Sequence, residues 1–206
     1  MLQKIRTVRG TKDLYGDEIL SHNNVLDKFC KLCKFYNYNQ ICTPILEHSE
    51  VFTKSLGISS DIVSKEMYNF IDQGNESLVL RPEGTAALAR AIVANSLHQE
   101  NNKFFYFGPM FRRERPQSGR LRQFHQVGVE YVGKTNYLYD LEVIILAEKF
   151  LGEIGIRDKL VLEINTLGNE QSRSSYNKAL KEFLINNSTK LSEASKKRLQ
   201  KIHYVF

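Results

Sequence analysis

The sequence predicts an α+β fold, and three observations predict it. Lys103 to Phe111 is aromatic-rich, Gln123 to Val132 alternates, and the two flank a Pro/Ser/Gly segment, which together predict an antiparallel hairpin. Leu26, Phe29, Cys30, Cys33 and Tyr36 recur at helical spacing between Ile19 and Tyr38, predicting an amphipathic helix. A strand over Leu78 to Arg81 runs through the turn Pro82-Glu83-Gly84 into a helix carrying Ala86, Ala87, Leu88, Ala89, Ile92 and Val93. Thr85 stands where a helix cap belongs.

The remaining elements follow in order. Asn39 to Thr43 reads as a short strand closed by Pro44, which lacks a ladder donor. After the hairpin come a helix near Tyr137 to Ile154, a strand near Leu160 to Thr166, and helices near Glu170 to Ile185 and Ser192 to Lys201. No internal repeat or low-complexity linker interrupts them.

Composition bounds the function. The 206 residues are 42% hydrophobic and 25% charged, with a net charge of +6, which excludes disorder and fits one domain, or one and a fragment. The longest apolar run, Val143 to Ala147, is far below the ~18–20 residues of a membrane helix, and no apolar leader follows Met1. A soluble, cytoplasmic chain without membrane contact is expected. Three cysteines are too few for a disulfide framework. Cys30 and Cys33 form a C-x-x-C, but no second pair completes four metal ligands, so both are expected as small core residues of the first helix. The five histidines show no metal-ligand spacing either, and the basic tail at Lys190, Lys196, Lys197, Arg198 and Lys201 reads as a solvated helix face.

The hairpin carries the chemistry. On its return strand Phe124, Gln126, Gly128 and Glu130 share one face, and Val127, Val129 and Tyr131 the other. Arg112, Arg113, Arg115, Arg120 and Arg122 set five guanidinium groups against the one carboxylate of Glu114 between positions 112 and 122. Arginine forks match phosphate oxygens in pairs, so the expected partner is a polyphosphate or a nucleic-acid backbone, with Phe124 as a ring on which a base could stack. Neither G-x-x-x-x-G-K-[ST] nor G-x-G-x-x-G is present. A Glu83/Glu130 acid–base pair of the glycosidase kind is disfavoured by the absence of Trp as a sugar platform.

The segments Arg81-Pro82-Glu83-Gly84-Thr85, Phe111-Arg112-Arg113-Glu114-Arg115-Pro116 and Gly119 to Glu130 resemble the catalytic domain of class II aminoacyl-tRNA synthetases. Within that class the chain is similar to the histidine–tRNA ligase family, as are Arg9-Gly10-Thr11-Lys12-Asp13 and Lys65-Glu66-Met67-Tyr68. The resemblance implies an antiparallel sheet flanked by helices, incomplete here, with a dimerisation segment at about 9–46 and an ATP and histidine site at about 78–132 within a partial catalytic domain spanning 1–206. It implies a homodimer, and activation of histidine by ATP with Mg2+ followed by transfer to histidine tRNA. Arg112 would clamp the α-phosphate as the catalytic residue; Glu114, Arg120 and Phe124 would bind ATP; Glu83, Thr85, Gln126 and Glu130 would bind histidine; Arg115 and Gln117 would meet the tRNA.

A segment like L-V-R-G-L-D-Y-Y, the third class II motif and an anticodon-binding domain do not occur in these residues. The expectation is a truncated fragment that does not activate histidine alone. After Lys201 the family continues N-P-L-R-I, and a codon set for it stripped of one A translates as the observed Ile202-His203-Tyr204-Val205-Phe206, pointing to a frameshift. A separately encoded C-terminal half would then be a partner. The alternative is a histidine-binding regulatory paralogue of ATP phosphoribosyltransferase.

Overall fold

The computed structural model describes residues 5–57, 60–115, 117, 119–134, 136–166, 168–192, 195–196 and 199. Most of the predicted helix from Ser192 to Lys201, the basic-tail residues Lys197, Arg198 and Lys201, the ending Ile202 to Phe206, and Pro116 lie outside the described residues. The chain divides into two compact units between Lys159 and Leu160.

The first unit opens with helix α1 (Asp17–Phe35), whose Asp17 and Glu18 in the first turn and Lys34 in the last complement the helix dipole. Asn37 takes φ 60° and the Tyr38 N–H bonds the Cys33 carbonyl at 2.9 Å, turning the chain into strand β1 (Asn39–Gln40). β1 is shorter than predicted and pairs in parallel with β5 (Asn102–Phe111), Asn39 opposite Phe104. β5 in turn pairs antiparallel with β6 (Gln123–Val132), from Asn102 opposite Val132 to Phe111 opposite Gln123. The hairpin is therefore the expected one.

Its first face carries Phe105, Phe107, Val127 and Val129 against Phe29, Leu32 and Cys33 of α1 and Leu146 and Phe150 of α4 (Tyr137–Glu153). Full burial of a side chain such as Phe105 or Leu146 contributes roughly 1.5–3 kcal/mol. Cys33 is fully buried and Cys30 packs at the edge of this cluster, as core residues of the apolar stripe. The second face carries Phe104, Tyr106 and Met110, with Phe124 and Val132, against Leu88 and Ile92 of α3 (Thr85–Ala94).

A second sheet, β2 (Leu46–His48), β4 (Ser77–Leu80) and β3 (Tyr68–Ile71), runs in the order β2-β4-β3 and is antiparallel throughout. Phe52 of α2 (Ser49–Leu56), Met67, Val79, Ala86 and Ala87 join this sheet to α3. Glu47 of β2, 6% exposed, receives the Arg90 guanidinium of α3, with Nε to Oε2 at 3.1 Å.

The second unit contains α5 (Glu170–Asn186), capped where the Asn169 side chain accepts from the Ser172 N–H at 2.8 Å. The predicted strand from Leu160 to Thr166 is corrected: these residues join no ladder, and Leu160, Val161, Leu162 and Ile164 are exposed. Apolar character favours a strand only when a neighbour takes up its backbone groups, and no strand among the described residues does so here. No helix among the described residues is long and apolar enough to cross a membrane.

Candidate active site

The turn between β4 and α3 is built around Glu83. Its Oε2 accepts the Thr85 N–H at 2.6 Å and its Oε1 the Ala86 N–H at 2.7 Å, satisfying two orphan donors of the first helical turn. The cap expected of Thr85 is thus made by Glu83, because a glutamate two and three residues upstream reaches both N–H groups and leaves the Thr85 side chain free to turn outward. That hydroxyl donates to Glu130 Oε1 on β6 at 2.6 Å. Thr85 therefore ties together two carboxylates brought from positions 83 and 130.

Glu130 shares the α3-facing side of the hairpin with Gln126 and Phe124, as the period of two requires. Burial pushes its carboxyl above the ordinary range; the Thr85 hydrogen bond opposes this, and the charge of Glu83 adds to it. Among the described residues no lysine or arginine takes part in the hydrogen bonds of Glu83 or Glu130. Gln126 donates through Nε2 to the Tyr106 hydroxyl at 3.3 Å, and its Oε1 is buried with no partner.

The arginine-rich connection stands beyond the far end of this face. Arg112 donates through Nε to the Pro82 carbonyl at 2.9 Å, and its Cζ lies 5.1 Å from the centre of the Phe124 ring, a cation–π contact. Its terminal nitrogens have no hydrogen-bond partner among the described residues. Pro82 immediately precedes Glu83, so the same turn orients the arginine and the carboxylate. Arg112, Phe124, Gln126, Glu130, Glu83 and Thr85 are thereby brought to one side of the hairpin.

Glu114 and Arg120 are not joined to that group. They form their own ion pair, Nη1 to Oε2 at 3.0 Å, and Arg122 Nε bonds the Glu114 carbonyl at 3.3 Å. Arg115 and Gln117 are exposed, Gln117 in an isolated bridge with Arg120. His125 lies on the opposite side and meets His22 edge to face at 4.4 Å, where burial lowers its pKa.

Sequence reasoning missed two residues. Arg81, 4% exposed, donates through Nη1 to the Thr43 carbonyl at 2.7 Å and through Nε to the Pro109 carbonyl at 3.1 Å, locking the turn to β5. Tyr106 occupies the centre of the site face, and burial raises its pKa. The available signal was a phenol among phenylalanines on the strand opposite Gln126.

Comparison with known proteins places the fold and the family. The apo histidyl-tRNA synthetase of Staphylococcus aureus superposes with a TM-score of 0.75 and 32% identity, over 95% of this chain and 46% of that one. A Bacillus halodurans protein described as an ATP phosphoribosyltransferase regulatory subunit/histidyl-tRNA synthetase shares the fold, with a TM-score of 0.64 and 24% identity over 97% of this chain and 54% of that one. The fold is part of a class II aminoacyl-tRNA synthetase catalytic domain. The family profile described as Histidyl-tRNA synthetase matches residues 10–194, and the chain belongs to that family. The histidine–tRNA ligases of Gluconacetobacter diazotrophicus and Rhodospirillum rubrum are 45% and 46% identical to it, over 97% and 96% of this chain. In both cases the chain spans 48% of the relative's length, about half of the curated relatives it matches.

Proposed function

We propose that this chain supplies the ATP and histidine half-site of a histidine–tRNA ligase. The observation that carries the reading is a pair of carboxylates, Glu83 and Glu130, bridged by Thr85 with no cation among their hydrogen-bond partners in the described residues, beside an arginine whose terminal nitrogens are open among those residues. Such a site calls for a ligand that is cationic at one end and phosphorylated at the other. Histidine joined to adenylate is both.

In this reading Glu83, Thr85 and Gln126 receive the α-ammonium and Glu130 accepts from the imidazole. Arg112 holds the α-phosphate while a histidine carboxylate oxygen bonds to phosphorus and pyrophosphate leaves. The terminal adenosine hydroxyl of the tRNA then bonds to the acyl carbon and AMP leaves. Such chemistry asks for positioning and charge neutralisation rather than a protein nucleophile. Phe124 stacks the adenine, Glu114 and Arg120 flank the nucleotide, and Arg115 and Gln117 face the tRNA acceptor end. Magnesium arrives on the ATP phosphates; no cluster of three or more His, Cys, Asp or Glu side chains among the described residues is placed to hold it as a protein cage. A pocket that hydrogen-bonds a polar side chain rejects analogues lacking it by ~10⁴–10⁵, which supports histidine specificity. The proposed setting is a cytoplasmic homodimer.

The test is histidine-dependent pyrophosphate exchange by the purified chain, alone and mixed with a separately expressed C-terminal half of a relative. Exchange in the mixture and none with the chain alone is expected. Exchange that is absent from the mixture, although the two halves associate, would overturn the reading.

A further inference from the structure

We propose that Gly10 is a positioning residue: the turn it forms grips the return stem of the arginine-rich connection and sets Arg112 for a phosphate before any ligand arrives. The inference rests on the reading of Arg112 given above and deepens it.

Two stretches marked out in the sequence, Arg9 to Asp13 and Lys65 to Tyr68, meet the connection at its two stems through their backbones. On the outgoing stem the Arg113 N–H donates to the Glu66 carbonyl at 2.7 Å, at the end of the helical turn Ile62–Glu66. On the return stem the Arg122 N–H donates to the Gly10 carbonyl at 2.7 Å, and the Gln123 N–H reaches the same oxygen at 3.4 Å.

From Gly10 the path to the site is short, and each bond in it has one possible direction, because every donor is an N–H and every acceptor a carbonyl. Arg122, held by Gly10, accepts the Arg112 N–H at its own carbonyl at 2.9 Å. Arg112 then donates through Nε to the Pro82 carbonyl at 2.9 Å, one residue before Glu83. The Gln123 bond fixes the residue before Phe124, whose ring makes the cation–π contact with Arg112. A single carbonyl therefore registers both the arginine and its ring. Backbone that is fixed beforehand leaves less ordering for the ligand to impose on binding.

The turn itself calls for glycine. The Thr11 N–H donates to the Val8 carbonyl at 2.9 Å, closing four residues, and Gly10 at the third position takes φ 86°. Glycine enters this left-handed region without steric cost, asparagine tolerates it, and a β-branched side chain does not. Val8 and Arg9 are exposed, so the turn serves to aim a carbonyl rather than to fill a core.

The experiment uses the full chain labelled with ¹⁵N, and variants Gly10→Val and Gly10→Asn. Without ligand, Gly10→Val should speed hydrogen exchange of the Arg112 and Arg122 backbone amides by about 10-fold or more, the protection lost with a hydrogen bond. The Arg112 Nε–H resonance should move with them, the amides in the middle of α1 should keep their rates, and Gly10→Asn should match the wild type. With ligand, Gly10→Val should weaken ATP binding by about 10-fold, the scale of one hydrogen bond to a charged group. It should change histidine binding by no more than about twofold, since Glu83, Thr85 and Glu130 keep their partners. Unchanged Arg112 signals in Gly10→Val, equal weakening of both ligands, loss of the whole fold, or equal damage in Gly10→Asn would each overturn the proposal. A wild-type chain that does not bind ATP would count against the reading of Arg112, while the exchange rates would still decide the role of Gly10.

Discussion

The Thr85 hydroxyl donates to Glu130 Oε1 at 2.6 Å, linking the first residue of α3 to β6 across 45 positions of sequence. Because the Thr85 N–H is simultaneously held by Glu83, one residue keeps two carboxylates close together without neutralising either. Burial, and to a smaller degree the charge of Glu83, disfavours the ionised form of Glu130, a cost that a bound cation would offset.

Glu130→Gln separates stability from function. The raised carboxyl of Glu130 means that the folded protein holds this proton more tightly than the unfolded chain. The cost of ionising it is therefore absent below the ordinary carboxylate range and grows as pH rises through the raised value. Removing that cost should leave Tm at pH 7 unchanged or higher, while histidine affinity falls by about 10–100-fold. In the wild type, histidine binding should weaken as pH falls through the same window. Calorimetric Tm and titrations between pH 4 and pH 8 check both signs.

Arg90→Ala strands the buried carboxylate of Glu47 beneath α3. Breaking a buried pair from one side costs on the order of 3 kcal/mol, whereas the double variant Glu47→Gln/Arg90→Met should cost less because no charge is left alone. Urea unfolding of the three proteins measures the difference.

The thiols should react unequally. Burial pushes Cys33 up to about 12 and raises Cys30, while Cys42 is exposed. At pH 8 the native chain should therefore modify rapidly at one cysteine and at all three only after unfolding. Mass spectrometry after a short alkylation pulse reads the count.

Arg115 is exposed in the arginine-rich connection. If it meets phosphate, Arg115→Ala should reduce the slope of log affinity against log salt for histidine tRNA by about 1. Fluorescence anisotropy across a salt series measures this slope.

The hairpin and the faces of β6 were legible because ten-residue paired strands with an oily face impose a period that the sequence must carry. β2, α2 and β3 were not. Leu46–His48 and Tyr68–Ile71 are short and largely exposed, and only pairing with β4 makes them strands. Leu160 to Thr166 erred the other way, apolar enough for a strand but without a partner among the described residues. At the site, the residue types on the motif were readable, whereas the exchange of roles between Thr85 and Glu83 depended on which group reached the helix N–H donors. Tyr106 was hidden because a tyrosine in an aromatic run looks like packing until Gly84 and Gly128 are seen beneath it.

The most direct measurement is calorimetric binding of a sulfamate-linked histidyl-adenylate analogue, which joins the two ligand halves in one molecule, to the chain and to Arg112→Ala and Glu130→Gln. The account predicts saturable binding by the wild type, weakened about 10–100-fold by each substitution, and little binding of the alanyl counterpart. Equal affinity of all three proteins, or no binding by a folded wild type, would contradict it.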